Sequence, residues 1–117
     1  MSAHKEERPE RANEVRLVGR VSGEPELREL PSGDVVVTFR VTVPRPEGHA
    51  TRQTVDAVDC AAWAARPRRS VGSWRVGDVV EVSGALRRRF FQTGAGAASR
   101  CEVEVASARV IRRAATS

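Results

Sequence analysis

Apolar residues recur at every second position through much of this chain, and this period of two constrains the fold more than any other feature. Such alternation is typical of half-buried β-strands. The clearest run covers residues 35–43 and is ended by Pro44 and Pro46. Five of its side chains share one face: Val35, Val37, Phe39, Val41 and Val43. The pattern predicts a domain built mainly of strands.

The same alternation returns in four other stretches, separated by glycine, proline and aspartate. The predicted strands cover residues 13–22, 35–43, 54–63, 79–91 and 100–112. Turns are expected at 23–25 and 31–34, and polar or small-residue loops at 45–53 and 92–99. Between the third and fourth strands, Pro67 and Gly72 leave room for a helix of only a turn or two.

Five strands with a short helix between the third and fourth fit an all-β fold, the five-stranded Greek-key barrel called the OB fold. In that fold, the face around strands two and three forms a groove for oligonucleotides. The predicted domain organisation is a disordered N-terminal segment at 1–12, an OB-fold domain at 13–112 and a short tail at 113–117.

Charge indicates the kind of partner. The chain carries a net charge of +5 and has a pI of about 10.8, and all but one of its 20 basic residues are arginine. The first twelve residues are electrically neutral, so the excess belongs to the predicted domain and favours a polyanionic partner. No apolar stretch is long enough to span a membrane, and we expect a soluble cytoplasmic protein.

The reactive side chains are few and scattered. Cys60 and Cys101 lie in different predicted strands, where we expect both thiols to be buried, and only His4 and His49 could join them as soft ligands. This spacing does not resemble a zinc site or a catalytic triad. The glycines at 94–96 lack the lysine and the strand-to-helix setting of a P-loop. The sequence therefore predicts no enzyme activity, no metal and no cofactor.

Several blocks resemble the bacterial single-stranded DNA-binding protein family. They are NEVRLVGR at 13–20, EPELR at 24–28, Ser32-Gly33, and GDVVEVSGALR at 77–87. The resemblance spans residues 13–111 and implies an OB fold, binding to single-stranded DNA with little sequence preference, and a homotetramer, with a dimer as the alternative. It implies a nucleoid-associated role in replication, recombination or repair. Family members that recruit repair proteins end in an acidic tip, so the basic residues 112–117 argue against such recruitment.

The resemblance also carries over two base-stacking residues, Trp63 and Phe91. Other aromatic positions of the family are empty, because Pro44 and the stretch 55–57 stand where it places rings, and weaker binding is expected. A buried structural role for Trp63 is the competing interpretation. Trp74 falls where the family keeps an apolar plug of the barrel, and we assign it to the core.

The fourth strand is the most informative stretch for binding. Its alternation puts Val80, Val82, Gly84 and Leu86 on one face, and Arg87, Arg89 and Phe91 on the other. Two guanidinium groups beside a ring suit phosphates and a stacked base, although a solvated basic edge would give the same pattern. Phe90 is expected in the core or at a subunit interface. The predicted phosphate-binding residues are Arg20, Arg45, Arg52, Arg87 and Arg89.

The charge, the fold pattern and the resemblance fit two functions. The first is binding of single-stranded DNA by base stacking and arginine–phosphate contacts. The second is a protein-interaction or assembly module on an OB fold, with weak or residual nucleic-acid binding. The positive charge and the Arg87, Arg89 and Phe91 face favour the first function, whereas the missing aromatic residues favour the second.

Overall fold

The computed structural model describes residues 10–46 and 52–115, which form five strands and one helix. In chain order these are β1 (Val15–Glu29), β2 (Val35–Pro44), β3 (Val55–Ala62), α1 (Ala65–Gly72), β4 (Val79–Thr93) and β5 (Gly96–Arg112). The strands close into a barrel in the order β1-β2-β3-β5-β4. Neighbouring strands are antiparallel except for the parallel pair β3 and β5. The predicted OB fold and the position of its helix are confirmed.

The barrel interior is filled by the alternate apolar residues of the strands. In β2 the predicted inward side chains Val37, Phe39 and Val41 are all buried, and Val80 and Val82 of β4 are fully buried opposite them. Each of these side chains contributes about 1.5–3 kcal/mol when it is fully buried. The period of two in the sequence therefore identified the core-facing side of these strands correctly.

Helix α1 and the loop after it cover one end of the barrel. Pro67 stands in the first helical turn, where a missing backbone N–H costs no hydrogen bond, and its ring is buried together with Val71. Trp74 is only 4% exposed and meets the ring of Phe39 edge to face, with a centroid distance of 5.4 Å and an interplanar angle of 83°. The assignment of Trp74 to the core is confirmed.

Two glycines of the barrel lie where neighbouring strands approach too closely for a side chain. A Cβ atom at Gly84 would stand 1.9 Å from the carbonyl oxygen of Glu104, and one at Gly19 would stand 2.2 Å from that of Thr42. Both contacts are with backbone atoms, which cannot rotate away. Glycine is therefore required at these positions by close approach rather than by an unusual φ angle.

The first strand is longer than its sequence pattern suggested. The predicted turn at 23–25 is wrong: these residues belong to β1, which continues to Glu29 and pairs with β2 along its second half. The ladder shifts register on both sides of Gly23, as expected for a bulge that bends the strand without ending it. Pairing with β2 compensates for the weak strand propensity of glycine and proline here. The predicted turn at 31–34 is present.

The predicted loop at 92–99 is also wrong. The fourth and fifth strands remain paired through Thr93 and Gly96, so only Gly94 and Ala95 form the connection. Gly96 has a φ of +120°, which suits a tight reversal of the chain. The small residues were interpreted as a loop, but the long antiparallel ladder with β4 holds them in strand conformation.

The predicted segments at the chain ends lie partly outside the described residues. Residues 1–9 of the expected disordered segment, residues 47–51 of the loop between β2 and β3, and the last two residues of the tail are among those not described. The described part of the tail contacts the barrel: the amide of Ala114 donates to Asp78 Oδ1 at 2.7 Å, and Arg113 donates to Asp78 Oδ2 at 3.0 Å.

Candidate nucleic-acid interface

Charged side chains occupy the outer face of the sheet formed by β2, β3, β5 and β4. Because successive residues point to opposite sides of a strand, residues next to the buried core positions face outward. On β5 these include Glu102 and Glu104, which flank the buried Val103. The pairing of β4 with β5 sets Arg87 opposite Glu102 and Arg89 opposite Arg100. The sequence did not predict that acidic residues would accompany the arginines on this face.

Trp63 and Arg89 meet on this face. The guanidinium carbon of Arg89 lies 4.7 Å from the centroid of the Trp63 ring, within the range of a cation–π contact. Arg89 Nε also donates to Glu102 Oε2 at 2.5 Å, and the Glu102 side chain is only 7% exposed. The buried carboxylate thus holds the guanidinium group over the indole ring.

The Trp63 ring is partly buried rather than fully inside or outside the barrel. Its indole N–H is buried and donates to no protein atom, the one buried side-chain polar group in the described part of the chain without a partner. A buried polar group without a partner costs about 1–3 kcal/mol, and such groups are rare in native proteins. Trp63 is therefore neither a fully buried core residue nor a fully exposed one, and its stacking role stays a prediction.

Two further arginines of the same face are paired with carboxylates. Arg87 Nε donates to Glu104 Oε1 at 2.8 Å, and Arg40 Nε donates to Asp59 Oδ1 at 2.9 Å. These pairs are half exposed, and ion pairs of this kind contribute at most about 1 kcal/mol each. Their main effect is on charge, because the positive potential expected at Arg87 and Arg89 is largely balanced within the sheet.

Phe91 lies two residues beyond Arg89, where β4 approaches the hairpin turn. Its side chain is 42% exposed, and the guanidinium carbon of Arg100 lies 5.9 Å from its ring centroid. The next residue back, Phe90, is 77% exposed, and Leu86 is 48% exposed. The core alternative for Phe90 is therefore wrong, whereas its alternative at a subunit interface stays a prediction. Leu86 pairs opposite the buried Val103 and so shares the predicted face, but it lies where this face extends beyond the packed barrel.

The remaining predicted phosphate-binding residues lie elsewhere. Arg20 is exposed on β1, and Arg52 is exposed at a bend before β3. Arg45 is partly buried and pairs with Asp56, with Nη2 and Nε lying 2.7 and 2.9 Å from Oδ1. The structure therefore brings Trp63, Arg87, Arg89 and Phe91 onto one surface, whereas Arg20, Arg45 and Arg52 lie apart from it.

A polar groove runs beside this surface, next to strands β2 and β3. Its cavity volume is about 260 Å³. Its lining includes Arg28, Arg40, Asp59, Arg100 and Glu102. Sequence reasoning missed Arg40, Arg100 and Glu102. The alternation of β5 already placed Arg100, Glu102 and Glu104 on one side, and this was the signal that could have identified two of them.

The two thiols differ in their environments. Cys60 is buried, and burial together with the negative charges of Asp59 and Glu102 raises the pKa of its thiol to about 12. Cys101 is exposed, so its predicted burial is wrong. Across residues 10–46 and 52–115, no cluster of histidine, cysteine and acidic side chains could hold a metal ion. The helix in these ranges is too short and too polar to cross a bilayer.

Comparisons with known proteins agree with this geometry. The model of the single-strand binding protein family matches residues 12–112. Single-stranded DNA-binding protein 3 of Listeria innocua is 34% identical over 72% of this chain, and single-stranded DNA-binding protein A of Bacillus subtilis is 31% identical over 72%. The aligned regions cover 53% and 49% of those proteins, so the chain spans about half the length of the curated relatives it matches.

A solved structure shares the fold. The Plasmodium falciparum single-strand binding protein, in a structure described as a complex with single-stranded DNA, superposes with a TM-score of 0.74. It is 21% identical, and the alignment covers 89% of this chain and 98% of that one. The chain belongs to the single-strand binding protein family.

Proposed function

We propose that this chain binds single-stranded DNA with little sequence preference, by stacking bases on Trp63 and Phe91 and by contacting phosphates with arginine. The observation that carries the proposal is the pairing of Trp63 with the Arg89 guanidinium on an outer face that also presents Phe91. An aromatic ring accepts any base, because every base has a π-face. Membership of a family whose similar members are named for this activity supports the proposal.

The carboxylates of the face shape how phosphates would bind. Glu102 and Glu104 already form ion pairs with Arg89 and Arg87. A phosphate must therefore displace each carboxylate or share the guanidinium group with it. For the half-exposed Arg87 pair this exchange is inexpensive, since such pairs stabilise a protein by at most about 1 kcal/mol. Glu102 is buried, so moving Arg89 away from it costs more. We therefore expect stacking to contribute a larger share of the affinity than the arginine count suggests.

The test is a titration of fluorescent oligo(dT) at several salt concentrations. Wild-type protein is expected to bind, with log affinity falling linearly with log salt. Trp63→Ala and Phe91→Ala should each weaken binding by about 1–3 kcal/mol for each lost stacked base. Phe90→Ala is the matched control, because that ring lies one residue away and projects to the opposite side of the strand. No binding at about 50 mM salt would refute the proposal.

A second candidate is an assembly module with residual nucleic-acid binding. Two observations favour it: the arginines of the sheet face are internally paired, and Phe90 and Leu86 are exposed on the hairpin. Exposed apolar groups at a strand edge invite contact with another chain. Under this alternative, Phe90→Ala would lower the mass measured by light scattering. Trp63→Ala would change neither that mass nor the affinity for oligo(dT).

Biological setting and assembly complete the proposal. We propose that the protein protects single strands during replication, recombination or repair in the cytoplasm, at the nucleoid, and that it assembles into a homotetramer, with a dimer as the alternative. A light-scattering mass equal to four chains would support the tetramer. A mass of one chain at working concentrations would exclude both assemblies.

A further inference from the structure

A cluster of positive charge without nearby acidic residues lies on α1 and the loop that follows it. Residues 63–77 contain Arg66, Arg68, Arg69 and Arg75 and no acidic residue at all. The acidic residues that flank this stretch, Asp59 and Asp78, are each paired with an arginine from elsewhere in the chain. Much of the net charge of +5 is thus concentrated in this short segment.

The arginines of α1 differ from Arg40, Arg87 and Arg89 of the sheet face in having no acidic partner. Within residues 10–46 and 52–115, the seven ion pairs involve other arginines, and none involves Arg66, Arg68 or Arg69. Pro67 and Val71 turn inward, so Arg66 and Arg69 are exposed on the opposite side of the helix. A phosphate reaching them has no carboxylate to displace.

The helix is tied directly to the Trp63 site. Arg68 Nε donates a hydrogen bond to the carbonyl oxygen of Trp63 at 3.0 Å, and α1 begins two residues after Trp63. Arg66 and Arg69 are three residues apart, so their Cβ atoms lie about 5–6 Å from each other on the helix surface. A strand leaving the Trp63 ring towards the helix would meet both guanidinium groups within one helical turn.

We propose that Arg66 and Arg69 form a second phosphate-binding site, which takes the backbone of a single strand whose base is stacked on Trp63. Guanidinium groups suit this role because their planar fork matches phosphate geometry. The site extends the bound strand beyond the sheet face, over the outer side of α1. This inference rests on the proposed function, because it requires a strand held at Trp63.

The experiment compares the double variant Arg66→Gln/Arg69→Gln with wild type, using oligo(dT) of about 4 and about 16 nucleotides, the range bound by single OB folds. Loss of two phosphate contacts should make the slope of log affinity against log salt shallower by about 1.4 for the longer strand. If the variant and wild type bind equally at about 1 M salt, this slope change makes the variant's affinity roughly 25-fold lower than that of wild type at about 0.1 M salt. The shorter strand offers fewer phosphates to α1, so its slope should change less.

The matched control is Arg16→Gln/Arg109→Gln, which removes the same charge from two exposed arginines that both pair with Glu81. The inference would be overturned, and the proposed function left intact, if the control showed an equal change in slope or if the helix variant kept the wild-type slope. Absence of oligo(dT) binding by wild type would instead refute the proposed function, and the inference with it. The single variants Arg66→Gln and Arg69→Gln should each show about half of the slope change, which tests the site without the double substitution.

Discussion

Substituting Asp78 by asparagine should destabilise this fold markedly, because Asp78 is a fully buried carboxylate whose three hydrogen bonds join two parts of the chain. Its Oδ2 atom accepts hydrogen bonds from the Arg75 amide at 2.9 Å and from Arg113 Nη1 at 3.0 Å. Its Oδ1 atom accepts from the Ala114 amide at 2.7 Å. The carboxylate thereby fastens the end of β5 to the loop between α1 and β4.

The size of the effect follows from these three bonds. Asparagine has one acceptor oxygen, so at least one donor faces an NH₂ group and is left without a partner, which costs about 1–3 kcal/mol. Of the two bonds retained at best, the one from the Arg75 amide changes from charge-assisted to neutral and becomes roughly half as strong, while the one from Arg113 keeps its charged donor but loses its charged acceptor. Together these losses predict a decrease in unfolding free energy of about 3 kcal/mol at pH 7.

The pH dependence has a definite sign. Burial alone would raise the pKa of Asp78, but the hydrogen bonds from Ala114, Arg75 and Arg113 outweigh it and hold the pKa below its ordinary value of 3.8. A carboxyl group with a lowered folded-state pKa stabilises the protein above the pKa of the unfolded state, and this contribution is lost as pH falls through the folded-state value. The difference between wild type and Asp78→Asn should therefore shrink below about pH 4.

The assay is urea unfolding at fixed protein concentration, since assembly would make stability depend on concentration. With a slope of about 2 kcal/mol/M, the predicted loss moves the midpoint down by about 1.5 M. Asp34→Asn is the control, because Asp34 is exposed and its carboxylate accepts a hydrogen bond from the Ser32 hydroxyl that an amide oxygen can also accept. This variant should remain within about 0.5 kcal/mol of wild type. If Asp78→Asn were equally stable at pH 7, the carboxylate would not hold these segments together.

Two further predictions test the packing and the thiols. Gly84→Ala should destabilise the barrel by about 3 kcal/mol or more, above the ~1–3 kcal/mol typical of overpacking, because its Cβ would overlap the Glu104 carbonyl oxygen. Gly94→Ala should be nearly neutral in the same unfolding assay, because its Cβ would meet no atom of the described residues within 4 Å. At pH 8, a maleimide should label Cys101 in the folded protein and Cys60 only after unfolding. The reason is that the reagent reacts with thiolates, and burial raises the pKa of Cys60 to about 12. Rapid labelling of both cysteines in the folded protein would contradict the burial of Cys60.

The sequence predicted the strand faces well wherever a core lies beneath them. Val37, Phe39 and Val41 are buried as expected, because alternation and burial coincide in a closed barrel. The burial of Cys101 and the core alternative for Phe90 were wrong, because both residues are exposed where the hairpin of β4 and β5 extends beyond the packed barrel. Alternation identifies a face of a strand but does not reveal where the core ends.

The candidate site was predicted as a set of residues but not as a charge distribution. Arg87 and Arg89 lie on the outer face as expected, yet each contacts a carboxylate two residues away from its direct partner on β5. These diagonal contacts depend on the register of the β4 and β5 ladder, which a bulge shifts at Ser83 and Gly84. No local pattern in the sequence encodes that register, so the neutralisation of the face could not be foreseen.

The most direct test of the account is the fluorescence of Trp63 when oligo(dT) is added. The variant Trp74→Phe leaves Trp63 as the only tryptophan, since the chain contains two. Stacking of a base on the indole ring should quench its emission in proportion to bound DNA, and the quenching should be reversed by salt. If DNA bound by an independent measure while Trp63 emission stayed unchanged, Trp63 would not be the stacking residue and the proposed interface would be wrong.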